Sequence, residues 1–200
     1  YPGIGAGFWQ YDAGSTLTAD GRAIIPVGAA GVLGRYLPVF DDGHADVTRF
    51  GARPARGSIT NGGSVGDVAS ITFVDNYTTE TNAAVQAALT YAQNYNTPDF
   101  VAWFPEGIYQ VTQSLEPSDS AHKFHLAGIA RTVGWPLNDP AYPAQWAWFN
   151  GGSTICMMTS GVPIIKLRGN DGSIKNVNLT YATEQLNTAT TSVAILGAGT

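Results

Sequence analysis

Charge is scarce in this chain: only 12% of its 200 residues are Asp, Glu, Lys or Arg, against roughly 25% in an ordinary soluble domain. The balance is a formal −5, so there is no basic footprint for nucleic acid. Cysteine is nearly absent as well. Cys156 stands alone, which excludes any internal disulfide. No apolar run approaches the ~20 residues a membrane-spanning helix needs. Gly3, Gly5 and Gly7 do not make a dinucleotide fingerprint, because their spacing is wrong and no strand-to-helix context surrounds them.

What is plentiful is glycine, 24 residues of it. Low charge with many turn formers suits a β-rich, extended or repetitive protein. Residues 1–46 form a Gly-rich and aromatic leader, with short strands expected around 8–11, 23–27 and 35–40. Residues 53–75 read as a surface hairpin or loop insertion with a strand-like stretch at 69–74.

The organising stretch is 78–115. A helix is expected over 78–93, with Thr79 as N-cap and Glu80 where the helix dipole favours an acid. Val85, Ala88, Leu89 and Ala92 recur at helical spacing and make one narrow apolar face of small side chains. Asn94, Asn96 and Pro98 end it. Strands over 100–104 and 108–111 follow, bent around Pro105-Glu106-Gly107. Such a helix suits the covering of an open stack of β-coils, whose end otherwise exposes apolar side chains and unpaired backbone.

Further strands are expected at 123–126, 154–158, 163–167, 173–179 and 192–196. Along them Ile165, Leu167, Ile174, Val177 and Leu179 supply the buried side, with a bulge near Asn176. Between them residues 128–152 break the rhythm with three Pro and four Gly, yet carry Trp135, Tyr142, Trp146, Trp148 and Phe149. Trp135, Trp146 and Trp148 are candidate glycan contacts, since an indole offers a flat apolar face and an N–H to a sugar. Packing of the excursion, or a subunit interface, explains the same rings.

Two resemblances attach to these residues. Ala84-Val85-Gln86-Ala87-Ala88, then Phe104-Pro105-Glu106-Gly107 and Tyr109, resemble the start of the pectate-lyase-like superfamily of right-handed parallel β-helices. Phe8-Trp9-Gln10-Tyr11-Asp12, Ser15-Thr16, Asp20-Gly21, Ile24-Ile25-Pro26, Gly34-Arg35-Tyr36 and Asp46 to Ala52 resemble the segment leading into the β-helix of bacteriophage tailspikes and tail fibres. Together they cover most of residues 8–128. The implied fold is mainly β: a small β-rich N-terminal adaptor (1–46), then a helix-capped right-handed parallel β-helix (47–200). After Ala52 the chain departs from the pattern. Arg53-Pro54-Ala55-Arg56 and about a score of further residues stand where relatives usually continue with Lys-Gly-Asp-Gly and an Asp-Asp-Thr.

The resemblance implies a homotrimer in the virion tail, outside the host cell, in contact with other tail proteins and a host-surface polysaccharide. Phe8, Trp9, Tyr11 and Tyr36 are then the candidate subunit-interface residues. A polysaccharide-degrading lyase or glycoside hydrolase with its site further along, or a purely structural fibre, stays open as an alternative. The start at Tyr1 and the stop at Thr200 after a strand-like run read as a piece of a longer protein.

No catalytic site is expected within 1–200. Hydrolysis needs two carboxylates a few ångströms apart, and lyase work needs a placed base. Asp41, Asp42 and Asp46 precede the first coil, and Glu184 has no acidic partner in view. His122 and His125 lack a third ligand, so no metal and no cofactor is expected. Lys166, Arg168 and Lys175 read as a solvated face or as a patch for an anionic glycan.

Overall fold

The computed structural model describes residues 8–15, 25–26, 34–40, 43–60, 70–94, 101–116, 124–130, 152–168, 172–182 and 195–198. Three leader strands, β1 (Trp9–Asp12), β2 (Ile25–Pro26) and β3 (Arg35–Pro38), form an antiparallel sheet with β3 in the middle. β4 (His44–Asp46) follows and runs into a 3₁₀ turn, Val47–Phe50. That turn has a sequence cause at each end. The Asp46 carboxylate accepts from the Thr48 N–H at 2.8 Å, and Gly51 leaves in the left-handed region, where only glycine is unstrained.

The hairpin expected within 53–75 is present as β5 (Gly57–Thr60) and β6 (Ser70–Phe73). It is not merely a surface addition. Phe73 packs on Ile108, Cys156 and Ala182. At its neck Arg56 donates to Asp75 through Nε at 2.8 Å and Nη2 at 2.9 Å. These bonds hold the Asp75 carboxyl at about 2. Because that value lies below the ordinary carboxylate range, the pair contributes at neutral pH and is lost only as pH falls toward about 2.

Helix α1 (Thr78–Asn94) matches the expected span, but its start differs. Thr79 lies inside the first turn. Asn76 accepts from Thr78 through its side chain, and the Tyr77 carbonyl receives the Thr81 N–H at 2.9 Å. An Asn side chain two residues ahead of the helix thus takes up the first helical residue, Thr78, through its N–H and hydroxyl. The apolar face is as the spacing predicts: Val85, Ala88, Leu89 and Ala92 are buried, joined by Ala84 and Tyr91. On its polar edge Asn82 accepts from the N–H groups of Thr112 and Gln113, and Gln86 donates to the Glu116 carbonyl. Residues four apart on one helix face thereby hold down the chain leaving the next strands.

Those strands are β7 (Val101–Phe104), β8 (Gly107–Val111), β9 (Phe124–Gly128), β10 (Ser153–Met157), β11 (Ile165–Arg168), β12 (Gly172–Lys175), β13 (Val177–Tyr181) and β14 (Ile195–Ala198). They build three parallel sheets: β4-β7-β9-β12, β8-β10-β13 and β11-β14, the last extended by a bridge from Leu115 to Ile165. The chain visits these sheets in the same order three times. The first circuit is β7, β8 and Leu115, the second β9, β10 and β11, the third β12, β13 and β14. The fold is mainly β with parallel sheets.

Register stacks like on like. Tyr109, Ile155 and Leu179 are neighbours across β8, β10 and β13; Ala102, Leu126 and Ile174 are neighbours across β7, β9 and β12. All six point into one core, which α1 shares. The helix packs against β4, β7, β8 and β9, so it lies at the first-circuit end. Burying Val85 and Leu89 there contributes roughly 1.5–3 kcal/mol each. Burial loosens along the stack: Ala102 and Leu126 are inaccessible, Ile174 only partly so, and Ile195 is 44% exposed.

Candidate functional site

Two places bear on the residues singled out above: the leader sheet, and the corner between the first two parallel sheets, from which residues 130–151 depart. On the leader, β1 and β3 pair Trp9 with Pro38 and Tyr11 with Tyr36. The Tyr11 and Tyr36 rings meet at 5.5 Å between centroids, a tilted contact of the kind aromatic pairs favour. Gly34 makes room for it. Its φ is +101°, and a Cβ there would lie 2.7 Å from the Tyr11 hydroxyl.

Arg49 fixes this sheet to the rest. Nη1 donates to the Val39 carbonyl at 2.6 Å and Nη2 to the Phe8 carbonyl at 2.9 Å. Its guanidinium lies 4.5 Å from the centroid of Phe40 and 5.3 Å from that of Trp9. Beneath it, Phe40, Phe50 and Tyr91 form a three-ring cluster with centroids 5.4–5.9 Å apart, and the Tyr91 hydroxyl donates to the Pro38 carbonyl at 3.0 Å. Trp9 is therefore engaged within its own chain, whereas Phe8, Tyr11 and Tyr36 face outward, at 82%, 50% and 43% exposure.

Arg49→Ala should lower stability by roughly 3 kcal/mol, from two charge-assisted hydrogen bonds and a cation–π contact. Lysine restores less than half of it, because it cannot bridge two carbonyls while stacking flat on a ring. Denaturant melts of the two variants, followed by tryptophan fluorescence, check this.

The corner is made three ways. In the first circuit Pro105 and Glu106 join β7 to β8. In the third a single residue, Asn176 with φ +57°, joins β12 to β13, a conformation asparagine tolerates. The single bulged strand expected over 173–179 is thereby corrected: Asn176 is a corner between strands of two different sheets. In the second circuit the same corner holds the excursion. Its two stems are clasped: the Ser153 N–H donates to the Ile129 carbonyl at 3.0 Å, and the Ile129 N–H donates to Ser153 Oγ at 2.9 Å. Ser153 is inaccessible to solvent and its hydroxyl also reaches the Phe104 and Pro105 carbonyls. The excursion thus leaves and returns through a gap one hydrogen bond wide.

No known protein family, curated protein or solved structure matches this chain.

Trp135, Trp146 and Trp148, with most of 128–152, lie outside the described residues, as do His122, Asp41, Asp42 and Glu184. Asp46 caps the 3₁₀ turn. His125 turns away from the core and its Nδ1 is 2.8 Å from Ser173 Oγ. Lys166 and Lys175 stand on different parallel sheets, and the Arg168 side chain lies outside the described residues. Among the described residues no three His, Cys, Asp or Glu side chains converge as a metal site requires. Burial pushes the Cys156 thiol up to about 12, which keeps it protonated and unreactive.

Sequence reasoning did not single out Arg49, Phe40, Tyr91 or Ser153. Tyr91 had a legible signal, falling three residues after Ala88 on the apolar helix face. Ser153 had none, because its role depends on a strand 49 residues earlier.

Proposed function

We propose that this chain is the adaptor and first coils of a right-handed parallel β-helix in a bacteriophage tailspike or tail fibre. In this reading it is a homotrimeric virion component that meets other tail proteins and attaches to a polysaccharide on the host surface. The observation that carries the reading is the strand order: three parallel sheets visited in the same sequence three times, with α1 packed at the first-circuit end. A coil stack of this kind is a rigid rod whose corners can carry insertions without disturbing the rungs. The β-leader, held by Arg49 through the Val39 and Phe8 carbonyls, is the part we assign as the adaptor. Phe8, Tyr11 and Tyr36 present its aromatic contact surface to neighbouring copies.

The clasp between Ile129 and Ser153 supports reading the excursion as a binding loop carried on a rigid scaffold. Trp135, Trp146 and Trp148 are the proposed glycan contacts. Replacing residues 129–152 by a two-residue Pro-Glu link, copied from Pro105-Glu106, should leave the fold unchanged and abolish binding to host capsular or lipopolysaccharide glycan. Trp→Ala at 135, 146 or 148 should each weaken binding by roughly fivefold, about 1 kcal/mol per ring. Biolayer interferometry on immobilised glycan reads both. Full binding by a shortened chain with an unchanged melt would overturn the assignment.

A further inference from the structure

Side chains alternate between the two faces of a strand. Tyr109 and Ile155 turn into the main core, so Ile108 and Cys156, their neighbours in sequence, stand on the outer face of the β8-β10-β13 sheet. An outer face is ordinarily polar. Here Ile108, Cys156 and Ala182 are buried in a small cluster of their own, with Met158 partly so, and among the described residues the ring laid over them is Phe73 at the end of β6. The hairpin carrying Phe73 is joined to the body at its neck. Among the described residues β5 and β6 pair only with each other. On the way in, the Ala55 N–H donates to the Ile108 carbonyl at 2.7 Å. On the way out, Gln110, itself buried, accepts from the Tyr77 N–H at 2.8 Å and donates to the Asp75 carbonyl at 3.2 Å. Between these anchors Arg56 closes the neck on the Asp75 carboxylate through its backbone N–H, Nε and Nη2. The sheet beneath is complete without the hairpin, since β10 is in register with β8 on one side and β13 on the other. A unit with its own small apolar contact, anchored at its neck, opens at a lower free-energy cost than the body it lies on.

We infer that the β5-β6 hairpin is a hinged cover. It swings as one unit about the neck between Ala55 and Asp75, and each opening bares Cys156 and the apolar strip around it while the parallel sheets stay folded. Phe73 is the grip of the cover on the sheet, and the Arg56–Asp75 pair is the clasp that holds its base closed. The inference does not depend on the assignment of the chain to a tailspike.

The test times the reaction of a maleimide with Cys156, the one thiol of the chain, at neutral pH and at urea concentrations below the unfolding transition. The closed thiol is inaccessible to solvent, so the labelling rate counts openings. The expected rate is roughly tenfold or more above what global unfolding allows. Its urea dependence should be much shallower than that of the melt, because opening the hairpin exposes less surface than unfolding the chain. Two variants separate the cover from the core. Arg56→Ala, outside both apolar clusters, should speed labelling about threefold by removing the clasp. Val85→Ala, in the main core, should lower the melt and leave the labelling rate unchanged, since the core is intact in the opened state. Labelling that follows the melt in its urea dependence and is faster in Val85→Ala would show that Cys156 is exposed by global unfolding alone, and overturns the inference. So does the absence of labelling below the transition. Shallow labelling that Arg56→Ala leaves unchanged overturns the hinge at the neck.

Discussion

Replacing Val85 with Asp should leave little or no soluble, folded protein. Val85 is inaccessible to solvent and sits in the core shared by α1 and the strands of the first two circuits. Among the described residues no Lys or Arg is buried, so a carboxylate in this core has no buried counter-ion. The penalty combines the lost burial of valine with the cost of an unpaired charge or a shifted, protonated acid. Together these exceed about 4 kcal/mol, the range reserved for disrupted cores. The first-circuit strands would also lose the surface covering their apolar ends. Soluble yield and a thermal melt read the outcome, with Val85→Ala as the control that shortens the side chain without charging it. A soluble Val85→Asp protein melting like the parent would show that α1 does not close the stack.

Gly107→Ala carries the second large effect. Gly107 has φ +145°, a region L-residues rarely adopt, and a Cβ there would lie 2.4 Å from Pro54 Cβ. Two separate costs are involved: backbone strain at that φ, and overpacking against a proline whose ring cannot swing aside. Roughly 3 kcal/mol is expected from the two. They can be separated. In Gly107→Ala with Pro54→Gly the clash is gone and the strain remains, so the pair should recover only part of the loss once the effect of Pro54→Gly alone is subtracted. Full recovery would mean that φ at this corner is not strained at all.

That corner also shows what can be read from sequence and what cannot. Phe104-Pro105-Glu106-Gly107 announces a turn because Pro and Gly restrict or free their own backbone, and the structure places it between β7 and β8 as expected. The apolar face of α1 is equally legible, being a matter of spacing within one element. So are the alternating strands over 165–168 and 172–181, although the single run expected at 173–179 is broken in two by Asn176. The start of α1 is misplaced by sequence because Thr79 and Asn76 both satisfy local rules, and only the path of the chain before the helix decides between them. The hairpin at 57–73 is visible, but not that Phe73 covers Ile108 and Cys156, since that depends on which outer face it folds across. Arg49 reads in sequence as one more charge in a short motif. Its guanidinium acquires a role only once Phe8 and Val39 are brought to it from 41 and 10 residues away.

The unequal burial along the stack gives the molecule a direction. At one end α1 covers the apolar interior. At the other, among the described residues, β12, β13 and β14 are the outermost strands of their sheets, and Ile195 and Leu196 stand 44% and 43% exposed. The two ends of the described stack are therefore unlike: a helix seals the apolar interior at one, and backbone strand edges are presented at the other.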